Sequence, residues 1–127
     1  MKVAIDTNTY VDFTRGGPDA VARLRAADLI VVPFVVLAEL RAGFACGRYA
    51  ERNERDLTVF LSSPRVEVAY PDEATTHQYA RLFAQLRRQG TPIPTNDIWI
   101  AAVAVQHDLY LYARDRHFDH LAQLARV

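Results

Sequence analysis

The run Met1-Lys2-Val3-Ala4-Ile5-Asp6-Thr7-Asn8 decides the reading of this chain. Val3 and Ile5 are β-branched and flank a small apolar residue, the pattern of a short strand buried on both faces. Asp6, Thr7 and Asn8 then bring three side chains whose oxygens cap helix N-termini, so a helix through about Thr14 is expected directly behind the strand. A carboxylate placed where an apolar strand hands over to a helix lies at the edge of a sheet, the place where α/β proteins bind ligands.

Moving outward, strands and helices alternate. Gly16-Gly17-Pro18 breaks the first helix, and Asp19 is expected to cap a second one with Ala20, Val21 and Leu24 on one face. Leu29 to Val32 reads as the second strand. Pro33 opens a helix running to about Gly43 or Gly47, with Glu39 lying close to Val35 and Val36. A charged helix from Tyr49 to Leu61 ends at Ser62-Ser63-Pro64, and a third strand spans Val66 to Ala69. Asp72 to Gln89 has helical spacing in Tyr79, Leu82, Phe83 and Leu86, after which Gly90-Thr91-Pro92-Ile93-Pro94 makes a rigid approach to the next helix. That helix, Asn96 to about Gln106, is apolar nearly all round and belongs at the centre of the fold. Leu109 to Ala113 is the expected fourth strand and Phe118 to Ala125 a last short helix. The alternation predicts an α/β fold with a mostly parallel sheet of four or five strands, covered by helices on both faces and formed by one domain over residues 1–127.

Composition narrows the function. Half of the 127 residues are hydrophobic, enough for a real core, and the formal net charge is zero, so no overall basic field announces a nucleic-acid partner. Every cationic residue except Lys2 is Arg, a residue suited to bidentate phosphate contacts. Cys46 stands alone and is read as a small buried apolar residue; without a second cysteine there is no internal disulfide, which fits a reducing compartment. No run approaches the about eighteen apolar residues of a membrane span. A cytoplasmic protein is expected.

Four acids carry the chemistry. Asp6 ends the first strand, Asp97 opens the apolar helix, Asp115 follows the fourth strand, and Glu39 sits within the apolar segment Phe34-Val35-Val36-Leu37-Ala38-Glu39-Leu40. Burying an uncompensated carboxylate is costly, and several close together repel one another, so a shared Mg²⁺ or Mn²⁺ ion accounts for all four. Helix capping is the competing reading of Asp6 and Asp97, although Thr7, Asn8, Thr95 and Asn96 already supply capping oxygens there. Thr7, Asn8 and Asn96 are candidates for orienting the acids. Trp99 reads as a core residue.

The stretches Ile5-Asp6-Thr7-Asn8, Ala38-Glu39-Leu40, Thr95 to Ala104 and Ala113 to Leu121, in this order and spacing, resemble the PIN-domain ribonucleases, and over essentially the full chain the VapC-type toxins of prokaryotic toxin–antitoxin pairs. The resemblance implies a PIN-like α/β/α sandwich and a Mg²⁺- or Mn²⁺-dependent endoribonuclease with Asp6, Glu39, Asp97 and Asp115 as its acidic site. It also implies a small cognate antitoxin, and a homodimer with the last helices as candidate contacts is expected besides. Arg114, Arg116 and His117 flank Asp115 and are candidate contacts to RNA phosphates, with a solvated basic loop as the alternative. The chain departs from the family at Ala113, where a Thr or Ser is usual. A catalytically silent PIN-like binding module and a PIN-type nuclease outside any toxin pair remain as alternatives. A phosphoacceptor receiver module and a haloacid-dehalogenase-like phosphatase both need a late Lys, and none follows Lys2; the phosphatase also lacks its second Asp, because Asn8 stands in that place.

Overall fold

The computed structural model describes residues 1–127. Its elements run in the order β1 (Lys2–Ile5), α1 (Thr7–Thr14), α2 (Pro18–Ala26), β2 (Leu29–Pro33), α3 (Phe34–Ala45), α4 (Ala50–Leu61), β3 (Val66–Ala69), α5 (Glu73–Gln89), α6 (Thr95–Gln106) and β4 (Tyr110–Tyr112), followed by a 3₁₀ turn over Arg116–His120. The strands form one sheet in the order β3-β2-β1-β4, with every pairing parallel. Helices flank this sheet. Parallel strands need crossovers, and each crossover lays helices against the apolar strand faces, so Val3, Ala4 and Ile5 of β1 and Ile30, Val31 and Val32 of β2 are all buried.

The central position of α6 follows from its composition. Ile98, Ile100, Ala101, Ala102, Val103 and Ala104 are buried around its circumference, and the small alanines let neighbouring elements approach closely. Beside it, α5 is held at both ends by local chemistry. Asp72 and Thr75 form a reciprocal capping box, and Gly90 adopts φ 70°, a left-handed conformation that stops the helix. Burying Ile98 and Ile100 fixes the phase of α6, which turns Asp97 toward the carboxyl edge of the sheet.

Several expectations change in the folded chain. Pro18 rather than Asp19 opens α2, leaving Asp19 inside the first turn, where its charge still suits the helix dipole. The last expected helix is instead the 3₁₀ turn ending at His120, because Phe118 is drawn into the core and Arg126 holds the chain back against the sheet. A fifth strand shrinks to a single bridge between Leu111 and Arg126, with Leu111 N–H donating to the Ala125 carbonyl at 2.7 Å and Val127 N–H to the Leu111 carbonyl at 3.2 Å. Cys46 is exposed just past the end of α3, and Trp99 is half-buried, stacked on Tyr79 with centroids 4.1 Å apart. No helix is long and apolar enough to cross a membrane.

Candidate metal centre

Each acid reaches the carboxyl edge of the sheet by a different route. Asp6 follows β1 and caps α1, its Oδ1 accepting from Thr9 N–H at 2.9 Å, and it is buried at 5% exposure. Glu39 projects from the middle of α3 and accepts a hydrogen bond from the Thr7 hydroxyl at 2.9 Å, which ties α3 to the start of α1. Asp97 lies in the first turn of α6. Asp115 follows β4 and caps the 3₁₀ turn, its Oδ1 accepting from His117 N–H at 2.9 Å.

The electrostatics couple these groups in part: only Asp97 and Asp115, with His117, lie close enough to share one ion's shell, while Glu39 and Asp6 act on them from further away. Burial pushes the Asp6 carboxyl above its ordinary value, the Thr9 hydrogen bonds pull the other way, the charge of Asp115 adds to the rise, and Arg114 opposes it weakly from a distance. Asp97 is likewise raised, first by burial and then by Asp115 and Glu39, against the opposing pull of His117. Asp97, Asp115 and Glu39 therefore share a field, and Asp115 extends it to Asp6. No Arg or Lys forms an ion pair with any of the four. Arg114 is committed to Asp12, its Nε donating at 3.0 Å, and Arg126 to Asp119.

His117 takes the place between two of the acids. Its Nδ1 lies 2.8 Å from Asp97 Oδ2 and 3.1 Å from Asp115 Oδ1, and one ligand atom from each of the three residues falls within 4.8 Å of the others. Of the residues proposed for phosphate contact, His117 thus points into the acid cluster, Arg114 is exposed on Asp12, and Arg116 is exposed at the start of the 3₁₀ turn. Among the supporting residues Thr7 bonds an acid directly, whereas Asn8 and Asn96 are exposed without a side-chain bond to any of the four.

Two positioning residues escaped the sequence reading. Thr9 is buried, and its hydroxyl donates to the Tyr112 carbonyl at 2.8 Å, locking the first turn of α1 to the end of β4. Arg126 donates to the carbonyls of Ala113 and Asp115 and so fixes the backbone on both sides of Arg114. Both contacts join residues far apart in sequence, and nothing local announces them.

The donor set suits a hard divalent cation. Asp97 and Asp115 come together with His117, Asp6 and Asp97 are held above their ordinary pKa first by burial and then by neighbouring carboxylates, and Arg114 opposes this at Asp6 only through space, without an ion pair. A bound dication would relieve this repulsion.

The comparisons with known proteins agree with this architecture. The PIN domain family matches residues 3–124. The chain belongs to the PIN domain family and, within it, to the VapC proteins. It is 30% identical over 129 residues to Ribonuclease VapC1 of Haemophilus influenzae, an alignment covering 98% of this chain and 95% of that protein. Its fold is similar to that in the structure of VapBC2 from Rickettsia felis bound to a DNA fragment from their promoter, with TM-score 0.88 and 27% identity, covering 100% of this chain and 98% of the other. It is also similar to VapBC-5 of Mycobacterium tuberculosis, a member of the VapBC family of toxin–antitoxin systems, with TM-score 0.73 and 27% identity, covering 99% and 98%.

Proposed function

We propose that this protein is the toxin of a toxin–antitoxin pair and acts as a metal-dependent endoribonuclease on RNA phosphodiester bonds. The observation that carries the reading is the close group of Asp97, Asp115 and His117, to which Glu39 is coupled through Asp97 and Asp6 through Asp115, with no Arg or Lys in an ion pair with any of the four acids. Membership among the VapC proteins, whose relative is named a ribonuclease, supports RNA as the substrate.

Asp6 and Asp97 would hold Mg²⁺ or Mn²⁺ directly, with Glu39 and Asp115 completing the set directly or through water. When bound, the ion supplies a more acidic water and stabilises the charge that develops on the phosphate. The chain's own residues set the geometry. Thr7 fixes Glu39, the Asp6 cap fixes the strand-to-helix turn, and the paired contacts of Thr9 and Arg126 hold the segment bearing Asp115. Arg114 and Arg116 stand exposed beside Asp115 and would take neighbouring phosphates, Arg114 by exchanging its surface pair with Asp12, which costs little in water. The hydrolysis joins a water oxygen to phosphorus, breaks one P–O bond and delivers a proton to the departing oxygen.

The proposal includes a small cognate antitoxin that covers the acidic cleft, a homodimer, and residence in the cytoplasm with the RNA. The experiment that tests it is cleavage of a defined RNA by the purified protein in Mg²⁺ or Mn²⁺, compared with EDTA and with Asp97→Asn. Metal-dependent cleavage lost in the variant is the expected result. Equal cleavage by the variant would remove the site from the reaction.

A further inference from the structure

His117 is not one of the oxygen donors, yet its ring stands between two of them, Asp97 and Asp115. An octahedral ion with bonds of about 2.1 Å holds adjacent ligand atoms about 3 Å apart. His117 Nδ1 is hydrogen-bonded to Asp97 Oδ2 at 2.8 Å and lies 3.1 Å from Asp115 Oδ1, separations that an ion taking the place of the shared proton could span with little movement. Using Nδ1 this way leaves Nε2 as the only ring nitrogen available to anything outside the cluster.

The imidazole is also held where it stands. The His117 backbone N–H donates to Asp115 Oδ1, so one carboxylate oxygen orients both the backbone and the ring that follows it. The next residue, Phe118, is 1% exposed and anchors the 3₁₀ turn in the core, while the Arg126 guanidinium lies 5.6 Å from the Phe118 ring and grips the Asp115 carbonyl. A side chain fixed from both neighbours is preorganised in the way that metal ligands are supported.

We propose that His117 Nδ1 is a ligand of the same ion as Asp97 and Asp115, so that this centre offers a mixed nitrogen and oxygen set that selects Mn²⁺ over Mg²⁺. Imidazole binds Mg²⁺ poorly because that ion is small, strongly hydrated and oxygen-seeking, whereas the first-row transition ions accept nitrogen readily. The inference rests on the metal-dependent nuclease reading and adds the identity of a ligand and the direction of metal preference.

The test is pulsed electron paramagnetic resonance on the purified full chain loaded with substoichiometric Mn²⁺. The expected spectrum carries a directly coordinated ¹⁴N modulation that changes on ¹⁵N-histidine labelling and disappears in His117→Gln. Calorimetric titration with Mn²⁺ and with Mg²⁺ should show Mn²⁺ affinity falling about tenfold or more in His117→Gln. In His117→Asp, which restores an oxygen donor, the Mn²⁺-over-Mg²⁺ ratio should fall by a similar factor. Mn²⁺ bound in an Asp97-dependent way with no nitrogen coupling would overturn the His117 assignment while leaving the nuclease reading intact. Absence of Mn²⁺ binding together with RNA cleavage that survives in Asp97→Asn would overturn both.

Discussion

The Thr7 hydroxyl donates to the Glu39 carboxylate at 2.9 Å, bridging the first residue of α1 and the middle of α3 across 32 positions of sequence. This bond converts Glu39 from a half-buried helix residue into a group aimed at the other acids. Thr7→Val keeps the shape and removes the donor. The expected outcome is a roughly tenfold loss of metal affinity, since this is a contact that orients a ligand. Thermal stability should move by less than about 1.5 kcal/mol, the range of one part-buried hydrogen bond. Thr7→Ser should restore metal binding. Titration calorimetry and a urea melt of the three proteins check both statements.

Asp97→Asn should abolish RNA cleavage and raise the stability of the metal-free protein near neutral pH. The sign follows from linkage. Burial, Asp115 and Glu39 raise the Asp97 pKa above its ordinary 3.8, so the native state binds the proton more tightly than the unfolded state. Native stability therefore falls as pH rises from about the unfolded value through the raised one, and stays low above it. Asn carries no such charge. The stability difference between variant and wild type should grow with pH across this window, then level off, and Mg²⁺ or Mn²⁺ should cancel it by stabilising wild type alone. A pH-independent difference in chemical denaturation midpoints would refute the argument.

Thr9→Val should unfold more readily. Thr9 is buried, and its hydroxyl satisfies the Tyr112 carbonyl at the end of β4, which the variant leaves without that partner. Losing it costs about 1–3 kcal/mol, enough to lower the thermal midpoint by several degrees. Thr9→Ser should recover most of that stability, a comparison made by scanning calorimetry.

These contacts mark how far the sequence could be read. The alternation of strand and helix was legible because both faces of the sheet demand near-continuous apolar strands such as Val3-Ala4-Ile5, and because α6 lacks a polar face. Asp6 and Asp97 stood out because each interrupts an apolar run at the start of a helix. The Thr7–Glu39 and Thr9–Tyr112 bonds were hidden, since they depend on elements that meet only when the sheet forms. The final segment misled for a related reason. Phe118, Leu121 and Leu124 have apolar spacing that suits a helix, but they bury themselves beneath a 3₁₀ turn and irregular chain, while Arg126 pairs with Asp119 and with β4-side carbonyls. Cys46 was read as buried from its chemistry alone, yet α3 ends just before it and leaves it in solvent.

Trp99 should report metal binding. It lies two residues from Asp97 on α6, within one helical turn of it though on another face, and its stack on Tyr79 holds the ring in place. Paramagnetic Mn²⁺ should quench its emission in wild type and much less in Asp97→Asn. Half-saturation should shift to higher Mn²⁺ as pH falls, because protons compete for the carboxylates. A titration giving the same quenching in both proteins would place the ion elsewhere.

The last prediction concerns the antitoxin. A cavity of about 380 Å³ lies between α1, the end of α3 and α4, with Tyr10, Val11 and Phe44 on its apolar side and Arg15, Arg52 and Asp56 among its polar walls, and Tyr49 beside it is 57% exposed with the Arg52 guanidinium 4.4 Å from its ring. An exposed aromatic beside a mixed groove, with Tyr10, Val11 and Phe44 among polar and charged walls, offers a partner an aromatic anchor point rimmed by polar contacts. We expect co-expression with the cognate small protein to suppress RNA cleavage and to yield a stable complex. Tyr49→Asp should weaken that complex by about tenfold or more while sparing cleavage, since Tyr49 lies outside the acid cluster. Phe44→Asp should weaken it too, with some loss of stability, because Phe44 also packs against the core. Pull-down and RNA cleavage assays on the same preparations separate the two effects. If both variants bind the inhibitor as wild type does, the interface lies on another face, and if no cognate protein inhibits cleavage, the chain is a PIN-type nuclease outside a toxin pair.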